Sequence, residues 1–278
     1  MEHCEGTFTG RGKLKLYYQS WQNSRTPKAV LLIVHGLADH SGRYINVVDF
    51  FVPRGFAVYS YDQRGHGKSE GTPCFVRRFS DYTDDLKAFH SLVREKHPQD
   101  KTFLVGHSMG GTVAADYAIQ HPAGLVGLVL SGPLLKAGES VTNAQIIMAR
   151  LLSALLPKIG IAAIDTTGIS RDKAVVTAYV NDPLVHHGKI TARTGAELIT
   201  TIEKRLPEKM NELTLPLLIM CGTQDRLANP RGSDLLYEKA KSTHKTLKRY
   251  DGFYHEIFNE PGREQVFADM EKWLSGHL

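Results

Sequence analysis

The sequence predicts an α/β fold, with a mostly parallel central sheet that is flanked by helices and interrupted once by a helical insertion. Short, continuously apolar runs such as residues 29–34 and 217–220 have the pattern of strands that are buried on both faces. Segments with apolar residues at helical spacing, such as 81–96, alternate with these runs. From residue 133 to 206 the strand pattern gives way to helical segments, so we expect a cap inserted into the sheet.

Each expected element follows from a local pattern. Residues 7–21 are predicted to form a hairpin, because leucine or tyrosine at 14, 16 and 18 alternates with lysine or tyrosine at 13, 15 and 17 after a Gly-Arg-Gly turn at 10–12. The other strands and helices follow from apolar runs and 3–4 spacing. The expected strands are 29–34, 56–61, 103–105, 125–130, 217–220 and 246–250, and the expected helices are 44–51, 81–96, 144–156, 234–240 and 265–274. We expect residues 1–132 and 207–278 to form the core and residues 133–206 to form a helical cap, or lid.

Composition and charge exclude several classes of function. The 278-residue chain has a formal net charge of +5 but no clustered basic face, so no nucleic-acid partner is expected. Cys4, Cys74 and Cys221 are far apart and form neither a disulfide framework nor a metal pattern, and we expect no metal and no cofactor. The N-terminus lacks an apolar signal segment, and no apolar run is long enough to span a bilayer. The expected location is cytoplasmic, with a peripheral contact to membranes left open.

The motif around which the chain is organised is a G-x-S-x-G pentapeptide at residues 106–110, GHSMG. A buried strand is predicted before it, and small helix-forming residues follow it. In this setting the pentapeptide holds a nucleophile, because only glycine on either side lets a strand and a helix approach so closely. The serine hydroxyl would project clear of its neighbours at the positive end of the helix. We predict that Ser108 is a catalytic nucleophile.

A serine hydroxyl becomes a nucleophile when a base takes its proton and a carboxylate orients that base. In α/β hydrolases the acid and then the histidine follow the serine along the chain, each on a loop after a strand. Asp225 and His255 have these positions and are the predicted acid and base, with Asp251 as the rival acid. The oxyanion hole needs the N–H of Met109 and a second N–H after the first buried strand, that of Leu37.

The segment 144–156 within the predicted cap is unusually apolar for a helix that faces solvent. Ordinary packing onto the core would explain this composition, and so would a lid that offers apolar surface to a lipid chain, and both can hold at once. A long-chain ester of glycerol needs one polar end and one apolar slot. The candidate walls of such a slot are Met148, Leu151, Leu152 and Leu155.

Longer stretches of the chain carry a narrower signal than the pentapeptide. They are HGLADHSGRY at 35–44, DQRGHGKS at 62–69, GHSMGG at 106–111 and YHE at 254–256, together with ISR at 169–171 and NDPL at 181–184 in the predicted cap. With these stretches the chain resembles the monoacylglycerol lipases over nearly its whole length, most closely the bacterial members.

The resemblance implies an α/β-hydrolase fold and the hydrolysis of monoacylglycerols to glycerol and fatty acid without a cofactor. It also implies a mobile cap that touches the membrane, the same catalytic triad, and polar contacts to glycerol from Asp39, Arg43 and Tyr179. Mammalian members have glutamate where Asp39 stands, so the reach of this side chain is shorter here. The alternative roles are a salt bridge that braces a loop for Arg43 and packing of the cap for Tyr179.

We therefore predict a serine ester hydrolase that cleaves monoacylglycerols through an acyl-enzyme intermediate. Within this chemistry the alternative is a lysophospholipase or a carboxylesterase of broad specificity. From another class, the alternative is a catalytically idle ligand-binding protein on the same scaffold, although the intact triad argues against it. The expected partner is a small lipid ester, and the oligomeric state is left open.

Overall fold

The computed structural model of the chain describes residues 1–138 and 142–278. Its strands are β1 Glu2–Thr9, β2 Lys15–Gln22, β3 Val30–Val34, β4 Ala57–Tyr61, β5 Thr102–His107, β6 Gly127–Ser131, β7 Gly160–Ala162, β8 Ile190–Thr191, β9 Leu217–Gly222 and β10 Lys245–Tyr250. Eight of them form one sheet in the order β1-β2-β4-β3-β5-β6-β9-β10. All neighbours from β4 to β10 in this order pair in parallel, and β1 and β2 extend one edge antiparallel. The predicted α/β class is confirmed.

Helices cover both faces of this sheet. They are α1 Ile45–Phe51, α2 Ser80–Lys96, α3 Met109–Gln120, α4 Asn143–Leu155, α5 Lys173–Asn181, α6 Ala192–Thr200, α7 Leu206–Lys209, α8 Arg231–Lys239 and α9 Arg263–Ser275. On one face the core includes Leu86 of α2 and Val113 of α3, and on the other it includes Phe51 of α1 and Trp273 of α9. Every residue of β3 and β4 is buried, as is typical of parallel strands covered on both faces. Strand β3 is continuously apolar, and the buried hydroxyl of Ser60 in β4 donates to the carbonyl oxygen of Ile33 at 3.2 Å.

Most predicted element boundaries agree with the structure to within two residues, but β1 begins at Glu2, five residues before the start of the predicted hairpin. Strand β6 begins two residues later than expected, because the N–H of Leu125 closes a turn onto the carbonyl oxygen of Pro122 at 3.1 Å. Helix α8 begins at Arg231 instead of Asp234. Pro230 directly precedes this helix, and proline suits a helix start because its φ is already helical and its missing N–H would have no partner there.

The chain between β6 and β9 holds residues 133–206, here called the insertion. It contains α4, α5 and α6, and also the short antiparallel pair β7–β8, which the sequence did not predict. Two hydrogen bonds fasten α6 to the core: the N–H of Val76 donates to Thr194 Oγ1 at 2.9 Å, and the N–H of Phe79 donates to Glu197 Oε2 at 2.9 Å. The domain limits at residues 132 and 206 stay predictions. Within the described ranges, no helix combines the length and the apolar character that crossing a bilayer requires.

Candidate active site

Ser108 lies in the tight turn between the end of β5 and the start of α3. Its backbone φ of 53° and ψ of −122° are strained for a residue that carries a side chain. A Cβ on Gly106 would come within 2.6 Å of the carbonyl oxygen of Gly110, and a Cβ on Gly110 would come within 2.2 Å of that of Val34. The two glycines therefore permit the close contact of strand and helix that holds Ser108 in this turn.

Two backbone amides near Ser108 are free to act as donors. Met109 is the first residue of α3, where N–H groups have no partner within the helix, and Leu37 lies on the loop after β3. Neither amide donates in any of the loop and cap hydrogen bonds found in residues 1–138 and 142–278. The two loops are close, because a Cβ on Gly36 would lie 3.2 Å from the Cβ of Ser108. Two such donors beside a nucleophile can bind the oxyanion of a tetrahedral intermediate.

His255 and Asp225 form a buried hydrogen-bonded pair. Nδ1 of His255 lies 2.8 Å from Oδ2 of Asp225, and both side chains are almost completely buried. The other carboxylate oxygen of Asp225 accepts the N–H groups of Leu227 at 2.8 Å and Ala228 at 2.9 Å. The carboxylate is thus held from both sides, and it orients the imidazole so that Nε2 remains available as a base.

The structure brings Ser108, Asp225 and His255 together in the predicted grouping. Ser108 and His255 line one cavity. The hydrogen bonds of the described residues do not include one from Ser108 Oγ to His255, and such contacts tighten when substrate binds. The rival acid Asp251 is exposed and accepts its hydrogen bond from the hydroxyl of Thr223 at 3.1 Å, so the carboxylate bonded to the base is that of Asp225.

Burial and charge act in opposite directions on the pKa values of this pair. Burial would lower the pKa of His255, but the charge and the hydrogen bond of Asp225 outweigh it and raise that pKa above its ordinary value. Burial would raise the pKa of Asp225, but His255 and the backbone donors lower it below its ordinary value. The ring centroid of His107 lies 4.8 Å from that of His255, and burial, followed by the charge of His255, lowers the pKa of His107 to about 4. His107 is therefore neutral at neutral pH, and His255 is the imidazole that can hold a proton.

Two adjoining cavities lie between the core and the insertion. The first, of about 430 Å³, contains Ser108 and His255 at its wall. The second, of about 590 Å³, lies against α4 and is lined mainly by aliphatic side chains. The two cavities share the lining residues Leu37, Ile190 and Leu198, so they are direct neighbours.

The predicted walls of the apolar slot separate into two pairs. Met148 and Leu152 line the second cavity. Leu151 and Leu155 are not among its described lining residues, and they are 54% and 78% exposed. Contrary to the prediction, these two residues are therefore not walls of the described cavity: Leu151 is rotated about the axis of α4 away from Leu152, and Leu155 is the last residue of the helix.

The three residues that the resemblance implied for glycerol have different positions. Asp39 and Tyr179 line the first cavity, whereas Arg43 is not among its described lining residues. The Arg43 guanidinium donates to Asp39 Oδ1 at 3.1 Å and to both carboxylate oxygens of Glu256, at 2.7 and 2.8 Å. Its central carbon lies 4.6 Å from the centroid of the Tyr179 ring. These contacts are those of the alternative role, a salt bridge that braces the loops.

Glu256 also belongs to this site, although no role was predicted for it from the sequence. It lines the first cavity and pairs with Arg43, 213 positions earlier in the chain. The available signal was an acidic residue directly after the predicted base, in the stretch Tyr254-His255-Glu256. A sequence pattern cannot reveal the arginine partner, because the fold alone brings the two loops together.

Comparisons with known proteins identify the family. The chain matches the family described as Serine aminopeptidase, S33 (Hydrolase_4) over residues 25–262. It is 37% identical over 274 residues to the monoacylglycerol lipase of Mycolicibacterium smegmatis, covering 99% of this chain and 98% of that protein.

Solved structures agree with this assignment. The monoacylglycerol lipase of Paleococcus ferrophilus superposes with a TM-score of 0.85 at 30% identity, covering 95% of this chain and 99% of that one. A soluble variant of monoglyceride lipase from Saccharomyces cerevisiae, in complex with a substrate analog, superposes with a TM-score of 0.87 at 26% identity, covering 98% and 94%. The chain therefore belongs to the Hydrolase_4 family of α/β hydrolases and, within it, to the monoacylglycerol lipases.

Proposed function

We propose that this chain hydrolyses monoacylglycerols to free fatty acid and glycerol, with an acyl-enzyme intermediate on Ser108. The observation that carries the proposal is the pair of adjoining cavities, one with polar residues beside Ser108 and one that is aliphatic, against α4. A monoacylglycerol is divided in the same way, because an ester joins a small polyol to a long apolar chain. The activity named for the relatives supports the same substrate class.

In the proposed reaction, Nε2 of His255 takes the proton of the Ser108 hydroxyl as Oγ attacks the ester carbonyl carbon. Asp225 holds the ring in the right tautomer and stabilises the imidazolium that forms. The N–H groups of Leu37 and Met109 donate to the oxyanion. His255 then gives the proton to the departing glycerol oxygen, and in the second half-reaction it activates the water that releases the fatty acid.

A lysophospholipase is the second candidate, and the charges around the first cavity bear on it. Among the described residues, the charged side chains that line this cavity are Asp39, Asp165, Glu256 and Arg226. Arg43 is already paired with Asp39 and Glu256. Among the described lining residues the remaining cation is Arg226, which already donates to the carbonyl oxygen of Thr167 at 2.8 Å, so a phosphate would find little positive charge to offset its own. The charges therefore favour the uncharged polyol of a glyceride over a phosphate ester.

The test compares the fatty acid released from monooleoylglycerol with that released from a lysophosphatidylcholine of the same acyl chain, with Ser108→Ala as the blank. We expect the glyceride to be hydrolysed faster. Preference for the lysophospholipid would overturn the substrate class while keeping the triad, and equal, slow turnover of both would indicate a general esterase. A fluorophosphonate probe that fails to label wild-type Ser108 would instead support the idle binding protein.

Leu152 and Leu151 form a matched pair for locating the acyl chain, because Leu152 lines the second cavity and Leu151 is exposed beside it. Leu152→Trp should fill part of the cavity and lower kcat/KM for a long-chain monoacylglycerol, relative to a short-chain one, by about 10-fold or more. Leu151→Trp should leave that ratio unchanged. The measurement is the ratio of kcat/KM for oleoyl and butyryl glycerides, and an unchanged ratio in Leu152→Trp would place the chain elsewhere.

We also propose that the outer face of α4 and the residues after it touch the membrane that supplies the substrate. The exposed apolar side chains there are Ile147, Leu151, Leu155 and Leu156, and Arg150 lies exposed among them. An apolar face with basic residues is typical of helices that lie in the interface of anionic membranes. Sedimentation with phosphatidylserine-containing vesicles should show weaker binding for a Leu151→Ser, Leu155→Ser double variant than for wild type, and equal binding would contradict this contact.

A further inference from the structure

A buried ion pair connects the two loops that carry catalytic groups, and the proposed reaction steps do not use it. Arg43 belongs to the segment after β3, which also carries Leu37, and Glu256 directly follows His255 in the chain. The guanidinium makes two hydrogen bonds to the carboxylate, at 2.7 and 2.8 Å, and the two side chains are 10% and 7% exposed. A bidentate arginine–carboxylate pair determines the relative orientation of the two groups as well as the distance between them.

Further hydrogen bonds anchor each end of this pair. Arg43 also donates to Asp39 Oδ1 at 3.1 Å, and the other oxygen of Asp39 accepts the hydroxyl of Tyr44 at 3.1 Å. On the other loop, Asn259 donates to Glu256 Oε2 at 2.8 Å. Neither side chain of the ion pair can turn away without breaking several hydrogen bonds. The pair is therefore a firm link between the loop that carries the oxyanion donor and the loop that carries the base.

We propose that Glu256 is a positioning residue: held by Arg43, it keeps His255 in place relative to the Leu37 amide through both halves of the reaction. The inference rests on the proposed roles of Ser108, His255 and Leu37, but it does not depend on which ester is the substrate. Loss of the link should let the loop of His255 shift. A misplacement of about 1 Å can lower a catalysed rate on the order of 10²-fold.

The same loop contains a second ion pair with a buried carboxylate, which provides a matched control, although its arginine, Arg171, is 38% exposed. Glu260 is fully buried, pairs with the Arg171 guanidinium and accepts the N–H of Arg171 at 2.6 Å. This pair connects the loop to the insertion. Glu260 is not among the described residues that line the first cavity, and its charge is not among the main influences on the pKa of His255. A purely structural role for buried carboxylates on this loop would make Glu260 and Glu256 equivalent.

The groups that face His255 give a second way to distinguish the two glutamates. Asp225 is bonded to the ring, the neutral ring of His107 lies 4.8 Å away between centroids, and the charges of Glu256 and Asp39 also act on it. Burial would lower the pKa of His255, whereas Asp225 and then Glu256 and Asp39 raise it.

Removing the charge of Glu256 leaves the positive charge of Arg43 less compensated, so the pKa of His255 should fall. Because His255 acts as a base only when neutral, the acid limb of the kcat/KM profile should then move to lower pH. A change that affected only the stability of the fold would not move this limb.

The experiment measures kcat, KM and the pH profile of wild type, Glu256→Gln and Glu260→Gln on a short-chain nitrophenyl ester, which requires no recognition of glycerol. For Glu256→Gln we expect kcat to fall roughly 10- to 100-fold with little change in KM, and the acid limb to move to lower pH. Glu260→Gln should keep the wild-type kcat and acid limb, whatever its melting temperature. A folded Glu256→Gln with the kcat and acid limb of wild type would overturn the proposal.

A conservative variant keeps the proposal testable if Glu256→Gln does not fold. Glu256→Asp retains the charge but is one methylene shorter, so it cannot make both hydrogen bonds from the same backbone position. Its kcat should fall while its acid limb stays near that of wild type, and a wild-type kcat would again overturn the positioning role. Wild-type enzyme that cleaves the nitrophenyl ester but no monoacylglycerol would count against the proposed substrate and not against this inference.

Discussion

Replacing Asp225 with asparagine should lower kcat for ester hydrolysis about 10⁴-fold, because the amide would stabilise the wrong tautomer of His255. Oδ2 of Asp225 accepts from Nδ1, which leaves Nε2 free to take the proton of Ser108. An asparagine NH₂ donates to Nδ1 instead, and the remaining proton of the ring then lies on Nε2. The base could no longer accept a proton from the nucleophile.

Asp251→Asn is the control for this variant, since Asp251 was the rival acid and is exposed. It should retain the wild-type kcat. The residual activity of Asp225→Asn should also have its acid limb at lower pH, because the charge that raises the pKa of His255 above its ordinary value is gone. The measurement is kcat and the pH profile of kcat/KM for both variants. Loss of activity in Asp251→Asn, with activity retained in Asp225→Asn, would reverse the assignment.

Gly110→Ala should lower the free energy of unfolding by about 3 kcal/mol, because a Cβ at this position would overlap backbone atoms. It would lie 2.2 Å from the carbonyl oxygen of Val34 and 2.3 Å from that of His35, and neither atom belongs to a flexible side chain. For a chain of this size the loss corresponds to a fall in Tm of roughly 6–12 °C. The folded variant should also have a lower activity than wild type, since any shift of α3 displaces Ser108 and the Met109 amide.

Gly276→Ala is the matched control for this substitution. The nearest atoms to a Cβ at Gly276 lie 3.5 Å away, an ordinary contact distance, and its φ is −73°. Thermal unfolding of the two variants beside wild type provides the comparison, and we expect Gly276→Ala to melt close to wild type. If Gly110→Ala melted at the same temperature as Gly276→Ala, the contact between β3 and the start of α3 would be looser than the structure has it.

Much of the catalytic constellation could be predicted because each of its members has a local signature. Ser108 is surrounded by glycines that only a tight strand-to-helix turn requires, and the structure gives it a positive φ. Asp225 and His255 lie on the loops three and five residues after β9 and β10, and parallel strands bring their carboxyl ends to one edge of the sheet. For these three residues the local sequence pattern was therefore enough to predict which side chains the fold brings together.

The sequence was less informative where several partners were possible. The apolar composition of 144–156 predicted a helix and left packing onto the core and contact with a lipid chain both open, and it could not say which residues face the cavity and which face solvent. Met148 and Leu152 line the cavity, while Leu151 and Leu155 do not. The rotation of an apolar helix on its own axis is set by what it packs against, because almost every side of such a helix can be buried.

By itself, the sequence determined the α/β class, the strand–turn–helix around Ser108 and the chain order of nucleophile, acid and base. Only the tertiary structure decided the pairing of Arg43 with Glu256, the division of the insertion into an inner and an outer face, and the shape of the two cavities. The physical reason is the range of the interactions. Turns and buried strands are encoded by residues a few positions apart, whereas an ion pair between positions 43 and 256 exists only after the sheet has placed both loops at the same edge.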